Sequence, residues 1–369
     1  MISGLNQQRR GFARLVITCL ALCLVATMGA LVSAPASAGT GLSWRDVPTG
    51  SDAQFRGLAP VSRQVAWVSG TEGTVLRTTD GGRHWTDVSP GGDTTDLEFR
   101  DIEAWDGLHA VILSIGTGGD SRIYRTDDGG RHWKQAFRNH SDEAFYDCLG
   151  FWDQRHGLAM SDPVNGKFRI LYTKDGGRSW TKRDPAGMPA ALEGEFGFAA
   201  SGTCLVTAGK TDAWIASGGT AARVFHTTDR GESWSVVDTP VVRSDAGGIF
   251  SLAVRDRKNL VAVGGDFEKP NKSADTAAYS RDGGTTWTAG GDLDGYRSGA
   301  AFLPRTSATG SPSNGVIAVG PTGTNVSFDG GVTWKRVRNG AFDAVECARD
   351  GACWASGVDG RVGLLVGLR

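Results

Sequence analysis

Thr78-Thr79-Asp80-Gly81-Gly82-Arg83-His84-Trp85 is a stretch that the chain writes six times. It recurs at Thr126–Trp133, Thr173–Trp180, Thr227–Trp234, Ser280–Trp287 and Ser327–Trp334, always as Ser/Thr-x-Asp-x-Gly-x-(Ser/Thr/His)-Trp. Each residue type has a turn function. The carboxylate accepts backbone N–H groups, the glycine takes a backbone angle that other residues avoid, and the tryptophan re-enters a strand with a large apolar ring. The unit is therefore a hairpin turn, and half of the 12 tryptophans close one.

From tryptophan to tryptophan the copies lie 47 to 54 residues apart. That is at or near the period of four-stranded propeller blades. On these residues the chain resembles the Asp-box, or BNR, repeat proteins: sialidases, sortilin-type receptors and photosystem II stability/assembly factor-like proteins. The expected fold class is all-β, a seven-bladed β-propeller. Asp80, Asp128, Asp175, Asp229, Asp282 and Asp329 are expected to be structural.

Six boxes make six blades, about 53–90, 97–138, 143–184, 193–238, 247–290 and 296–338. The seventh is inferred from the two ends. Trp44-Arg45-Asp46-Val47 reads like the strand after an Asp-box, with no box before it. Phe342–Cys347, Cys353–Gly357 and Arg361–Val366 read as three strands lacking a fourth. Pairing the N-terminal strand with the C-terminal blade closes the ring and leaves no open edge.

Residues 1–38 read as an export signal: Arg9-Arg10-Gly11-Phe12, an apolar run Leu15–Val32 and a small-residue cleavage site Ala36-Ser37-Ala38. The twin arginines fit either a folded-protein export signal or an ordinary secretory one. The expected domains are thus 1–38, signal, and 39–369, propeller. The expected location is extracellular, periplasmic or in the cell envelope, touching a membrane only through an uncleaved signal. Without the signal, 36 basic residues face 40 acidic ones, which gives no footprint for nucleic acid. Of the four remaining cysteines, Cys347 and Cys353 flank a turn and are candidates for a disulfide. A Cys148–Cys204 pairing is left open.

Antiparallel order puts the Asp-boxes on one face of the ring and the starts of the inner strands on the other. On that second face fall Arg56, Arg100-Asp101, Tyr146-Asp147, Glu195, Ser251, Arg297-Ser298 and Asp343. Six residues before the box aspartate, Arg122, Arg169 and Arg223 take equivalent places in blades 2, 3 and 4. Two readings stand open: these arginines hold a carboxylate or phosphate, or they pair with Asp101, Asp147 and Glu195. The candidate ligand-binding set is Arg100, Asp101, Arg122, Arg169, Arg223, Asp266 and Arg297. Glu268–Thr276 is a candidate partner-contact loop.

The six histidines are scattered without ligand spacing, and no dinucleotide or phosphate loop appears, so neither metal nor cofactor is expected. Ser121-Arg122-Ile123-Tyr124-Arg125-Thr126, Ser161-Asp162-Pro163 and Gly264-Gly265-Asp266 resemble a group of exported bacterial photosystem II assembly factor-like propellers. That resemblance implies a propeller that binds a partner; with the arginines, the reading is a monomeric binding or assembly scaffold for a protein or a small anion, rather than an enzyme. The alternative is a sialidase-like glycoside hydrolase, ahead of an oxidoreductase. It would draw its carboxylates from Asp147, Glu195 and Asp162.

Overall fold

The computed structural model describes residues 41–304 and 314–367; the signal segment 1–38 lies outside the described residues. The described strands form seven antiparallel sheets, one per blade. Blade 1 is Phe55–Pro60, Ala66–Gly70, Val75–Thr78 and Thr86–Asp87, running from inner to outer strand. Blades 2, 3 and 6 repeat that order, with inner strands Glu98–Ala104, Tyr146–Phe151 and Gly299–Phe302. In blade 7, Ala344–Cys347, Cys353–Ser356 and Val362–Val366 receive Ser43–Asp46 as the fourth strand, with Trp44 opposite Leu365. The two ends of the chain therefore close the ring as the sequence requires.

Each Asp-box folds the same way. In the first, Thr78 Oγ1 donates to Asp80 Oδ1 at 3.0 Å and accepts from the Gly82 N–H at 2.9 Å, while the His84 N–H donates to Asp80 Oδ1 at 3.0 Å. Gly82 sits at φ +79°, and a Cβ there would lie 2.1 Å from Val47 Cγ1. Only glycine supplies both the angle and the room.

The turn aims its tryptophan into the seam with the preceding blade. Trp85 meets Trp354 of blade 7 edge-on at 6.2 Å, and Trp133 meets Trp67 of blade 1 at 6.3 Å. Trp180, Trp234, Trp287 and Trp334 pack in the next four seams. The seventh seam, between blades 6 and 7, has no box, and Trp44 fills it beside Ile317, Val326 and Phe342. A single kind of wedge thus serves the whole ring.

Blade 4 differs from the expected boundaries. Its inner strand is Leu205–Ala208, not a strand starting near Glu195. Glu195–Phe196 pairs instead with Gly218–Gly219, which joins the sheet of blade 5 through Gly248 and Ser244. The residues between, 197–203, are freed from the blade and cross the channel, and Cys204 rejoins blade 4 through the Ala216 N–H. A disulfide from Cys204 to Cys148 of blade 3 fixes their end, and Cys347–Cys353 clips the first hairpin of blade 7.

Candidate functional site

Four inner strands carry a β-bulge where they leave the face opposite the Asp-boxes. The register slips between Phe55 and Gly57, Phe99 and Asp101, Tyr146 and Cys148, and Ile249 and Ser251. Each slip leaves one residue unpaired: Arg56, Arg100, Asp147 or Phe250. A bulge re-aims the side chain it carries, and three of these four, Arg56, Arg100 and Phe250, line a cavity of about 350 Å³ at the channel mouth.

The crossing segment forms one wall of that cavity. Arg56 Nη1 donates to the Ala200 carbonyl at 3.1 Å, and Arg100 Nη1 to the Ala199 carbonyl at 3.3 Å. Gly197 N–H donates to Asp162 Oδ1 at 2.7 Å, and Ser201 Oγ to the Ser298 carbonyl at 2.7 Å. Thr203 Oγ1 and Ser251 Oγ lie 2.6 Å apart. The segment is thereby tied to blades 1, 2, 3, 5 and 6. Phe198 stacks on Phe250, Phe250 meets Tyr296 at 4.6 Å, and Phe267 closes against both phenylalanines at 6.2 to 6.3 Å. Phe267 remains 48% exposed, a large apolar ring at an open mouth. Burial pushes the Tyr296 hydroxyl above its usual range, with Arg56 opposing and Asp343 reinforcing.

The residues singled out from the sequence fall into different places. Arg100 lies in the mouth, also bound to Glu98 at 2.6 Å. Asp101 is buried beneath the crossing segment and accepts from the Leu149 N–H at 2.6 Å; a Cβ on Gly202 would lie 2.5 Å from its Oδ1. Arg122 pairs with Asp93 at 2.8 Å and also donates to the Gly119 carbonyl. Arg223 forms a two-pronged pair with the buried Glu195, which Ser217 Oγ also meets. Between the two open readings of the arginines, Arg223–Glu195 follows the pairing one.

Arg169 lies on the third strand of blade 3, beside Tyr146. Arg297 is fully buried, holding Asn325 at 2.9 Å and Thr322 at 2.7 Å; burial lowers it to about 10. Asp266 accepts from Ser244, Lys269 and the Glu268 N–H, so it organises the start of the Glu268–Thr276 loop.

Two sets of carboxyls hold protons well above the usual carboxylate range. Burial, then the charge of Asp162, raises Asp147, and burial raises Asp162 to about 6. A proton held on such a pair is what an acid catalyst requires. Asp147, however, is 1% exposed, and a Cβ on Gly197 would stand 3.1 Å from its Oδ2. Along the channel, burial raises Asp101, with help from Glu103, and lifts Glu103 itself to about 7. Glu346 rises through burial and its neighbours Glu103 and Asp101. Among the described residues, no cluster of histidine, cysteine or acid side chains has the geometry to hold a metal ion.

Sequence reasoning missed Phe198, Phe250, Tyr296 and the crossing segment. One signal was available: the step from Trp180 to Trp234, 54 residues, is the longest between boxes, so blade 4 has chain to spare.

The BNR/Asp-box repeat model matches residues 278–289, the fifth box. No curated protein sequence matches the chain significantly. Solved structures are similar at the level of fold. YCF48 bound to D1 peptide aligns with 17% identity and a TM-score of 0.58, over 88% of this chain and 96% of that one. YCF48 from Cyanidioschyzon merolae aligns with 15% identity and a TM-score of 0.57, over 87% and 98%. A streptogramin B lyase aligns with 10% identity and a TM-score of 0.60, over 88% and 97%. The repeated turn, the seven sheets and these similarities agree: the chain carries the BNR/Asp-box repeat and folds as a seven-bladed β-propeller.

Proposed function

We propose that this protein is a docking scaffold that grips an acidic and aromatic-containing segment of a protein partner at the channel mouth. One observation carries the reading. Arg56 and Arg100 already hold two consecutive backbone carbonyls, Ala200 and Ala199, beside the stacked rings of Phe198 and Phe250. A mouth that holds backbone carbonyls and an aromatic ring of its own chain has the chemistry to hold them in another. The exposed Phe267 supplies an apolar anchor, and aromatic and arginine side chains are the usual centres of binding energy. The protein described as YCF48 bound to D1 peptide shares the fold, which supports a peptide as the kind of ligand. The signal-like segment 1–38 supports an action outside the cytoplasm.

The test is a random peptide display selection on residues 39–369, with the selected peptides then titrated against Phe267→Ala and Arg100→Ala. Selected sequences are expected to combine carboxylates with an aromatic residue. Each substitution is expected to weaken them about tenfold or more, with the melting temperature held. Peptides whose affinity ignores both substitutions would place the docking surface elsewhere.

A further inference from the structure

Blade 3 departs from its neighbours at the outer edge. Its third strand, Lys167–Thr173, is long, yet the ladder to the outer strand covers only Leu171 and Tyr172. One more contact follows, from the Arg183 N–H to the Ile170 carbonyl at 2.8 Å. In blades 2 and 4 the outer strand continues to the first residue of the third, Arg122 or Arg223. Here the chain swings outward through the turn Pro185–Gly187, capped by Asp184. It returns beside the start of the third strand, where the Ala191 N–H reaches the carbonyl of Gly166, the residue before that strand, at 2.8 Å.

Phe168 lies between these two contacts with no outer strand beside it. Residues two apart on a strand direct their peptide groups to the same side. The N–H and C=O of Phe168 therefore turn outward as the carbonyl of Ile170 does. A cavity of about 240 Å³ occupies the place of the missing strand, floored by Phe168, Ile170, Met188 and Trp234. Its rim carries Lys167, Arg169, Lys182 and Arg183 beside two acids: Asp184, whose carboxylate is engaged by the Ala186 N–H, and Glu232, which pairs with Arg183 at 3.4 Å. Arg183 lies over the Tyr172 ring at 4.0 Å. Its Nη1 and Nη2 reach Glu232 Oε1 and the Arg230 carbonyl, while its Nε is buried without a hydrogen-bond partner among the described residues. Buried donors of this kind call for an acceptor.

We propose that this gap binds an N-acylated apolar amino acid with a free carboxylate. Its peptide group replaces the missing rung at Phe168, its side chain enters the apolar floor, and its carboxylate meets the basic rim. Both a free acylated amino acid and the last residue of a partner chain have this chemistry. The site is separate from the channel mouth and does not depend on docking there.

The test titrates residues 39–369, by calorimetry and NMR, with N-acetyl-leucine, its uncharged amide, 4-methylpentanoate and a glycine-serine peptide ending in leucine. N-acetyl-leucine is expected to bind saturably. The amide, lacking the charge, and 4-methylpentanoate, lacking the peptide group, are each expected to bind about tenfold more weakly or worse. Met188→Trp, which fills the cavity, and Arg183→Gln, which removes the guanidinium, are both expected to weaken binding at an unchanged melting temperature; the second serves if the first fails to fold. Tighter binding of the peptide assigns the site to a chain terminus, and equal binding to a free small molecule. No saturable binding of either, equal binding of acid and amide, or indifference to both substitutions overturns the proposal.

Discussion

Phe198 stacks on Phe250 with ring centroids 3.8 Å apart and planes 14° from parallel. One ring belongs to the segment that leads into blade 4; the other is the residue that the bulge of blade 5 leaves unpaired. The pair joins the crossing segment to the ring, so its removal should act on the mouth before the rest. Phe250→Ala is expected to cost about 3 kcal/mol or more and to speed amide exchange across 197–203 selectively. Denaturant melts with residue-resolved exchange check this. Unchanged protection of that segment would mean that the polar contacts alone hold it.

Closure of the ring rests on Trp44, whose Nε1 donates to Thr324 Oγ1 of blade 6 at 3.1 Å. It fills a seam whose counterparts are filled by Asp-box tryptophans. Trp44→Ala is expected to cost about 3 kcal/mol or more, as much as Trp85→Ala in its own seam. A loss near the ~0.5 kcal/mol of an ordinary surface change would show that Trp44 is not a closing wedge.

The two disulfides differ in the chain they close. Cys148–Cys204 spans 56 residues and Cys347–Cys353 spans 6. The loop-entropy relation gives about 4 kcal/mol for the first and about 2 kcal/mol for the second. Paired cysteine-to-alanine variants, compared by chemical denaturation, are expected to rank in that order. Equal losses would show that native-state effects outweigh loop length.

Stability should peak in mildly acidic solution. The raised carboxyls stabilise the fold fully below their unfolded values of 3.8 and 4.5, and that contribution is lost as pH rises through about 6 at Asp162 and about 7 at Glu103. The Asp-box carboxylates act oppositely. Hydrogen bonds from His132 draw Asp128 down to about 2, so its contribution is present above 3.8 and lost as pH falls through about 2. The melting temperature is expected to be highest near pH 4, to fall from there to about pH 7 and to level off above it. Asp162→Asn and Glu103→Gln should flatten the upper limb, and melts across pH read the result. A melting temperature that rises steadily to neutral pH contradicts this assignment.

The contrast between Asp80 and Asp147 shows how far the sequence could be read. Asp80 acts on groups within four residues, Thr78 Oγ1 and the His84 N–H, so its role is written in the local spacing. Asp147 owes its proton to burial and to Asp162, fifteen positions on and brought close by strand pairing. For the same reason Arg122 and Arg223 share a register position yet meet unrelated partners, Asp93 and Glu195.

The sequence by itself determined the blade count, the Asp-box turns and the closing strand. Each follows from a repeated local pattern or from the need to leave no edge unpaired. Only the tertiary structure decided that 197–203 would cross the channel, that Cys148 would meet Cys204, and that Phe198, Phe250 and Tyr296 would join Arg56 and Arg100 in one mouth. These meetings join residues from different blades, and the curvature of the closed ring sets their distances. No spacing along one chain encodes that.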